Sequence, residues 1–114
     1  MLGLAVGTVD HQRDVLLRFD VDGTLDSSFG TSGVTTLDFA GQLDVAEDVA
    51  IDGNGKIVVA GWRTDNTGDV SFAVARFTAN GTLDTSFNGT SGFNVFDFAA
   101  STEVSKARSV TIDS

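Results

Sequence analysis

Two stretches decide how this chain reads: "RFDVDGTLDSSFG" at 18–30 and "RFTANGTLDTSFNG" at 76–89. They share Arg-Phe, Gly-Thr-Leu-Asp and Ser-Phe in the same order and spacing. The likeness extends outward. "LAVG" at 4–7 answers "VVAG" at 58–61, and "TSGVTTLDFA" at 31–40 answers "TSGFNVFDFA" at 90–99. "AEDVAID" at 46–52 answers "ARSVTID" at 107–113. The offset drifts from 54 to 61, so the length differences fall between the matched blocks, where loops belong. The chain is two copies of one unit, 1–54 and 55–114, and an internal period of this size is the mark of a repeat architecture.

Each unit predicts four short strands. The first offers "LGLAVG" (2–7), "VLLRFD" (15–20), "VTTLDF" (34–39) and "EDVAID" (47–52). The second offers "KIVVAGW" (56–62), "VSFAVARF" (70–77), "FNVFDF" (93–98) and "RSVTID" (108–113). All are rich in Val, Ile, Phe and Thr and are bounded by Gly, Asp, Asn and Ser. The turns "DGNG" at 52–55 and "ANG" at 79–81 place Gly and Asn where positive φ is needed. No segment keeps a helical apolar period. Val15-Leu16-Leu17 and Ile57-Val58-Val59-Ala60 are apolar without alternation, as in strands covered on both faces. A four-stranded unit of about sixty residues that needs cover on both faces has the character of a propeller blade.

The blocks "GKIVVAGW", "FAVARFTANGTLDTSFNGTSG", "DFA" and "ARSVTID" resemble the delta-60 repeat family of bacterial β-propeller proteins. The resemblance covers essentially all of both units. It implies an all-β propeller of four-stranded antiparallel blades, extracellular or cell-surface origin, and no established catalytic activity. It departs from the family at Asp52-Gly53-Asn54-Gly55, where Pro-Asp-Gly is usual, and in having only two units. In related propellers the innermost strand precedes the "KIVVAG" strand. On that phase the chain begins at the second strand of one blade and ends with the inner strand of another. Two blades cannot close a ring, since propellers use about four to eight. The expected partner is therefore the chain itself, joined head to tail. Three chains give six blades and four give eight, with the homotrimer favoured over the homotetramer. The alternative is that the chain is a fragment of a longer propeller.

Asp20-Val21-Asp22-Gly23-Thr24 also resembles the nucleophile motif of haloacid-dehalogenase-type phosphatases, and the repeat removes that reading. Asp20 becomes Thr78 and Asp22 becomes Asn80, while Gly23, Thr24, Leu25 and Asp26 return as Gly81, Thr82, Leu83 and Asp84. The unit requires a turn followed by Leu-Asp, so no catalytic residue is assigned. Asp20, Asp22 and Asp26 on a glycine-containing loop leave calcium as the one candidate cofactor, although the distant Glu of an acidic calcium loop is missing.

Composition narrows the classes further. The net charge of −9 disfavours nucleic acid. The absence of cysteine removes disulfides and thiolate chemistry, and a single histidine, His11, precludes a multi-histidine metal site within one chain. No apolar run approaches the roughly 18 residues of a membrane helix, and the opening "MLGLAVGTVDHQR" lacks the features of a signal peptide. With no proline and 13 glycines, the turns rest on Gly, Asp and Asn.

Three structural and binding expectations remain. Asp26 and Asp84 should accept the N–H two residues on, with Leu25, Phe29, Leu83 and Phe87 pinning the excursion to the core. Arg18–Asp38 and Arg76–Asp97 should form cross-strand ion pairs. The loops 8–14 and 62–69 should emerge on one face. There Trp62, Arg63, Asp65, Asn66 and Asp69, with His11, form a candidate carbohydrate patch, set against a Trp that merely covers a blade edge.

Overall fold

The computed structural model describes residues 3–10, 13–38, 43–65, 68–89, 91–96 and 109–112. Among these residues seven strands follow one another: β1 (Gly3–Asp10), β2 (Arg13–Phe19), β3 (Val34–Leu37), β4 (Leu43–Ile51), β5 (Ile57–Thr64), β6 (Val70–Phe77) and β7 (Phe93–Phe96). They form two antiparallel sheets, a three-stranded β1-β2-β3 and a four-stranded β4-β5-β6-β7. Among the described residues there is no helix. The sheet boundary lies between β3 and β4, so the last strand of unit 1–54 belongs to the sheet of unit 55–114.

The strand expected at 108–113 does not form over the described residues 109–112. That segment has no neighbouring strand in the register of either sheet. Among the described residues it is tied by a bond from the Val110 N–H to Asp48 Oδ2, 3.0 Å. The loops expected at 8–14 and 62–69 are also shorter than the sequence suggested. β1 and β2 run on through Thr8↔Asp14 to Asp10↔Arg13, and β5 and β6 meet as far as Thr64↔Val70. Cross-strand hydrogen bonds outweigh the weak local preference of these polar residues for a loop.

The sheets pack face to face, with Leu4, Val6, Leu16 and Leu37 of the first meeting Val49, Ile57, Val59, Ala73, Ala75 and Phe77 of the second. β1 lies against β4 across the interface. By repeat correspondence Val15 answers Ala73 and Leu17 answers Ala75. The first sheet therefore buries one face, and the second buries the opposite one. The remaining faces keep half-buried apolar residues, Val15 and Leu17 on one and Val58, Phe72 and Val74 on the other. That is why the strands do not alternate in sequence. Asp14, where the second repeat has Phe72, is fully buried in this interface.

One glycine is fixed by this packing. β4 carries a bulge between Ala46 and Asp48 opposite Gly61, which drives the Val45 carbonyl oxygen onto the place a Cβ would occupy. Close approach of another backbone is a recurrent reason for glycine inside a strand. Gly61→Ala should lower stability by about 1–3 kcal/mol through overpacking, read as a reduced urea midpoint. An unchanged midpoint would show that the bulge relaxes freely.

Candidate functional site

Each repeat builds the same small constellation after its Arg-Phe strand end. Arg18 Nε donates to Asp26 Oδ2 at 2.9 Å, and Arg76 Nε donates to Asp84 Oδ2 at 2.8 Å. The other carboxylate oxygen is occupied locally. Asp26 Oδ1 accepts the Ser28 N–H (3.0 Å) and Oγ–H (2.6 Å), and Asp84 Oδ1 accepts the same pair from Ser86 (3.1 and 2.6 Å). A phenylalanine lies beneath each guanidinium, Phe29 at 4.6 Å and Phe87 at 4.9 Å from Cζ to ring centroid. This is cation–π range.

These contacts hold the carboxyls in the charged form. For Asp84 the Ser86 hydroxyl is the largest cause, followed by Lys56, the Ser86 N–H and Arg76, and together they push it well below the usual carboxylate range. Lys56 Nζ adds its own bond to Asp84 Oδ2 at 2.9 Å. Asp26 is lowered chiefly by the Ser28 hydroxyl and N–H, then by Arg18. Asp22 is lowered by Thr24.

The expected Arg18–Asp38 pair is corrected by the register. β2 and β3 align Leu17 with Val34 and Asp14 with Leu37, so Arg18 and Asp38 stand at opposite ends of the strand pair. Arg18 turns instead to Asp26, eight residues on. Asp97 lies outside the described residues, and Arg76 is bound to Asp84.

Asp20, Asp22 and Asp26 do not gather as a calcium site, and among the described residues no group of three metal-ligating side chains does. Asp22 Oδ1 takes the Thr24 N–H and hydroxyl, while Asp26 faces Arg18. The carbohydrate patch is likewise divided. Trp62 and Arg63 are consecutive in β5 and so point to opposite faces. Trp62 is half-buried and donates Nε1–H to Glu47 Oε1 at 3.0 Å. Asp65 accepts the Asp69 N–H at 3.1 Å within a closed turn. His11 and Asn66 lie outside the described residues.

What the constellation joins is the two repeats. Arg18 Nη1 donates to the Ala79 carbonyl at 2.6 Å, and the Gly30 N–H donates to the Asn80 carbonyl at 2.8 Å. Gly81 sits on the Phe29 ring, where a Cβ would come within 2.9 Å of the Gly30 nitrogen and 3.1 Å of Phe29 Cε1. The turn 78–81 of the second repeat is thus clipped onto Arg18, Phe29 and Gly30 of the first. Sequence reasoning missed Asp26 and Asp84 as the partners of Arg18 and Arg76. The signal was available, since Arg and Asp recur eight apart in both copies.

No curated protein and no solved structure matches the chain significantly. A family model matches residues 4–29 and 53–87, two segments that end on Phe29 and at Phe87 of the constellation. With more than half of its length matched, the chain belongs to the family described as Domain of unknown function (DUF5122) beta-propeller.

Proposed function

We propose that the chain is a non-enzymatic propeller module of the delta-60 type, contributing two blades to a ring closed head to tail by further copies. Its role is that of a scaffold or interaction platform. The observation that carries this reading is Gly7. It is the repeat counterpart of Gly61, which is pressed by the bulged strand β4. Around Gly7 a Cβ would meet nothing within 4 Å, because among the described residues β1 has β2 as its only sheet neighbour. A glycine suited to close backbone approach therefore lies on an open strand edge, where it costs conformational entropy without a return. The repeat counterpart of β4 is the segment 109–112, held beside β4 by Asp48. Supplied to β1 of another copy, it would pair along Gly3–Val6 as Asp48–Ile51 pair along Ile57–Ala60, and so begin to fill the open edge that Gly7 shares.

Light scattering coupled to size exclusion tests this. The expected mass is three times the 11.9 kDa protomer, or four times for the eight-blade ring. Gly7→Val should leave the protomer folded and reduce the mass. A wild-type protomer that stays monomeric at all concentrations sinks the reading.

A further inference from the structure

We infer that the clip between the two repeats is used a second time, between chains. The turn Asp20–Gly23 of one copy docks on Arg76, Phe87 and Asn88 of the next. This rests on the ring reading above and names the contact surface it needs.

The interface inside the chain is the template. Its receiving side is Arg18, Phe29 and Gly30, and its inserted side is the turn 78–81. Both halves occur again, unengaged. Arg76 repeats Arg18 in its bonds to Asp and Ser. Where Arg18 Nη1 reaches across to Ala79, however, Arg76 Nη1 has no acceptor among the described residues. Asn88 holds φ of 54°, matching 53° at Gly30, and each directly follows the clip phenylalanine. The Gly30 N–H is bound to Asn80, while the Asn88 N–H has no acceptor among the described residues. Phe29 is fully buried, while Phe87 is half-buried.

The inserted side is duplicated as faithfully. The bond from Gly23 N–H to Asp20 O, 3.0 Å, matches that from Gly81 N–H to Thr78 O, 3.0 Å. The bond from Asp20 N–H to Thr24 O, 2.8 Å, matches that from Thr78 N–H to Thr82 O, 2.7 Å. Ala79 and Asn80 spend their carbonyls on the first repeat. Those of Val21 and Asp22 have no donor among the described residues. Val21 stands 80 % exposed at the turn's apex. A Cβ on Gly23 would meet nothing within 4 Å. Two donors and two acceptors therefore remain, arranged as the donors and acceptors that already pair within the chain.

The surrounding surfaces suit the same match. Leu37 is 4 % exposed beneath the second sheet, whereas its counterpart Phe96 is 38 % exposed. By register Phe96 lies beside Phe72 and Phe72 beside Trp62, an aromatic row on the face of the second sheet turned away from the first. The facing surface of the next copy would carry Val15, Leu17 and the turn. Its carboxylates Asp20 and Asp22 would approach Arg76, whose own partner Asp84 also binds Lys56. The occupant is thus a second copy of this chain, in a heterologous contact that propagates to closure.

Two variants test the clip from its two sides. Gly23→Asn tolerates the positive φ yet adds a side chain where Phe87 must lie. Phe87→Ala removes the platform. Each alone should shift the wild-type oligomer to protomer in light scattering, with the circular dichroism of the protomer retained. Mixed in equal amounts, they should form a one-to-one dimer, because Phe87 of the first variant still fits Gly23 of the second. If wild type is oligomeric and neither variant changes its mass, the clip is wrong and the ring reading stands. If wild type is monomeric, both fall. A mixture that remains protomeric, with both variants folded, overturns the pairing of these two surfaces.

Discussion

Phe29→Ala is expected to cost about 3–5 kcal/mol, the range for truncating a fully buried aromatic, and Phe87→Ala much less. The two residues occupy the same position in the same motif, each beneath an arginine. What differs is the cover. Phe29 is closed in by Gly81 and the Asn80–Gly30 bond and is 0 % exposed, so truncation leaves a cavity within the core cluster it shares with Leu16 and Phe77. Among the described residues Phe87 lacks a second turn above it and is half-buried, so water can occupy the space its ring leaves. Urea unfolding at concentrations where the chain is a protomer measures both. Equal losses would mean that the burial of Phe29 owes nothing to the second repeat. The comparison separates the stability of a repeat from that of the contact between repeats, the two terms on which repeat proteins depend.

The repeat itself was legible because identical turn chemistry returned at a near-constant offset, and turns are specified locally. Gly23 and Gly81 have φ of 87° and 94°, which the sequence signals directly through Asp-Gly and Asn-Gly. The two-faced burial was legible for the same reason, since Val15-Leu16-Leu17 and Val58-Val59-Ala60 leave no polar face. The partner of Arg18 was not. Choosing between Asp26 and Asp38 requires the β2–β3 register, and register is set by long-range pairing that a residue pattern leaves open. The expected carbohydrate patch was divided for a more elementary reason: once β5 extended through Trp62 and Arg63, strand alternation sent the two side chains to opposite faces. Asp14 shows a further limit. As the last residue of the expected loop 8–14 an aspartate carries no sign of burial, and only the stacking of the second sheet buries it.

Asp84→Ala should lower Tm more than Asp26→Ala, and Asp84→Asn should flatten the acid side of the stability profile. Asp84 has three side-chain partners, Lys56, Arg76 and Ser86, and its side chain is 8 % exposed against 17 % for Asp26. Removing it strands two cations beside one another, and leaving a desolvated charge without its partner is the costly half of breaking an ion pair. The sign of the pH effect follows from the lowered pKa. The unfolded carboxyl titrates near about 3.9, and the folded one well below it. The unfolded chain therefore binds the proton first as pH falls. The contribution of Asp84 is complete above about pH 4–5 and is lost progressively as pH drops toward the folded value. Wild type should show Tm falling steeply below about pH 4. Asp84→Asn, already destabilised at neutral pH, should show a shallower fall. Part of the slope must remain, because Asp22 and Asp26 are also held low. Thermal melts of the two proteins over this range decide it. Parallel profiles would mean that the carboxylate's partners stabilise the unfolded chain as much as the folded one, and would remove Asp84 from the forces that hold the second repeat's clip in place.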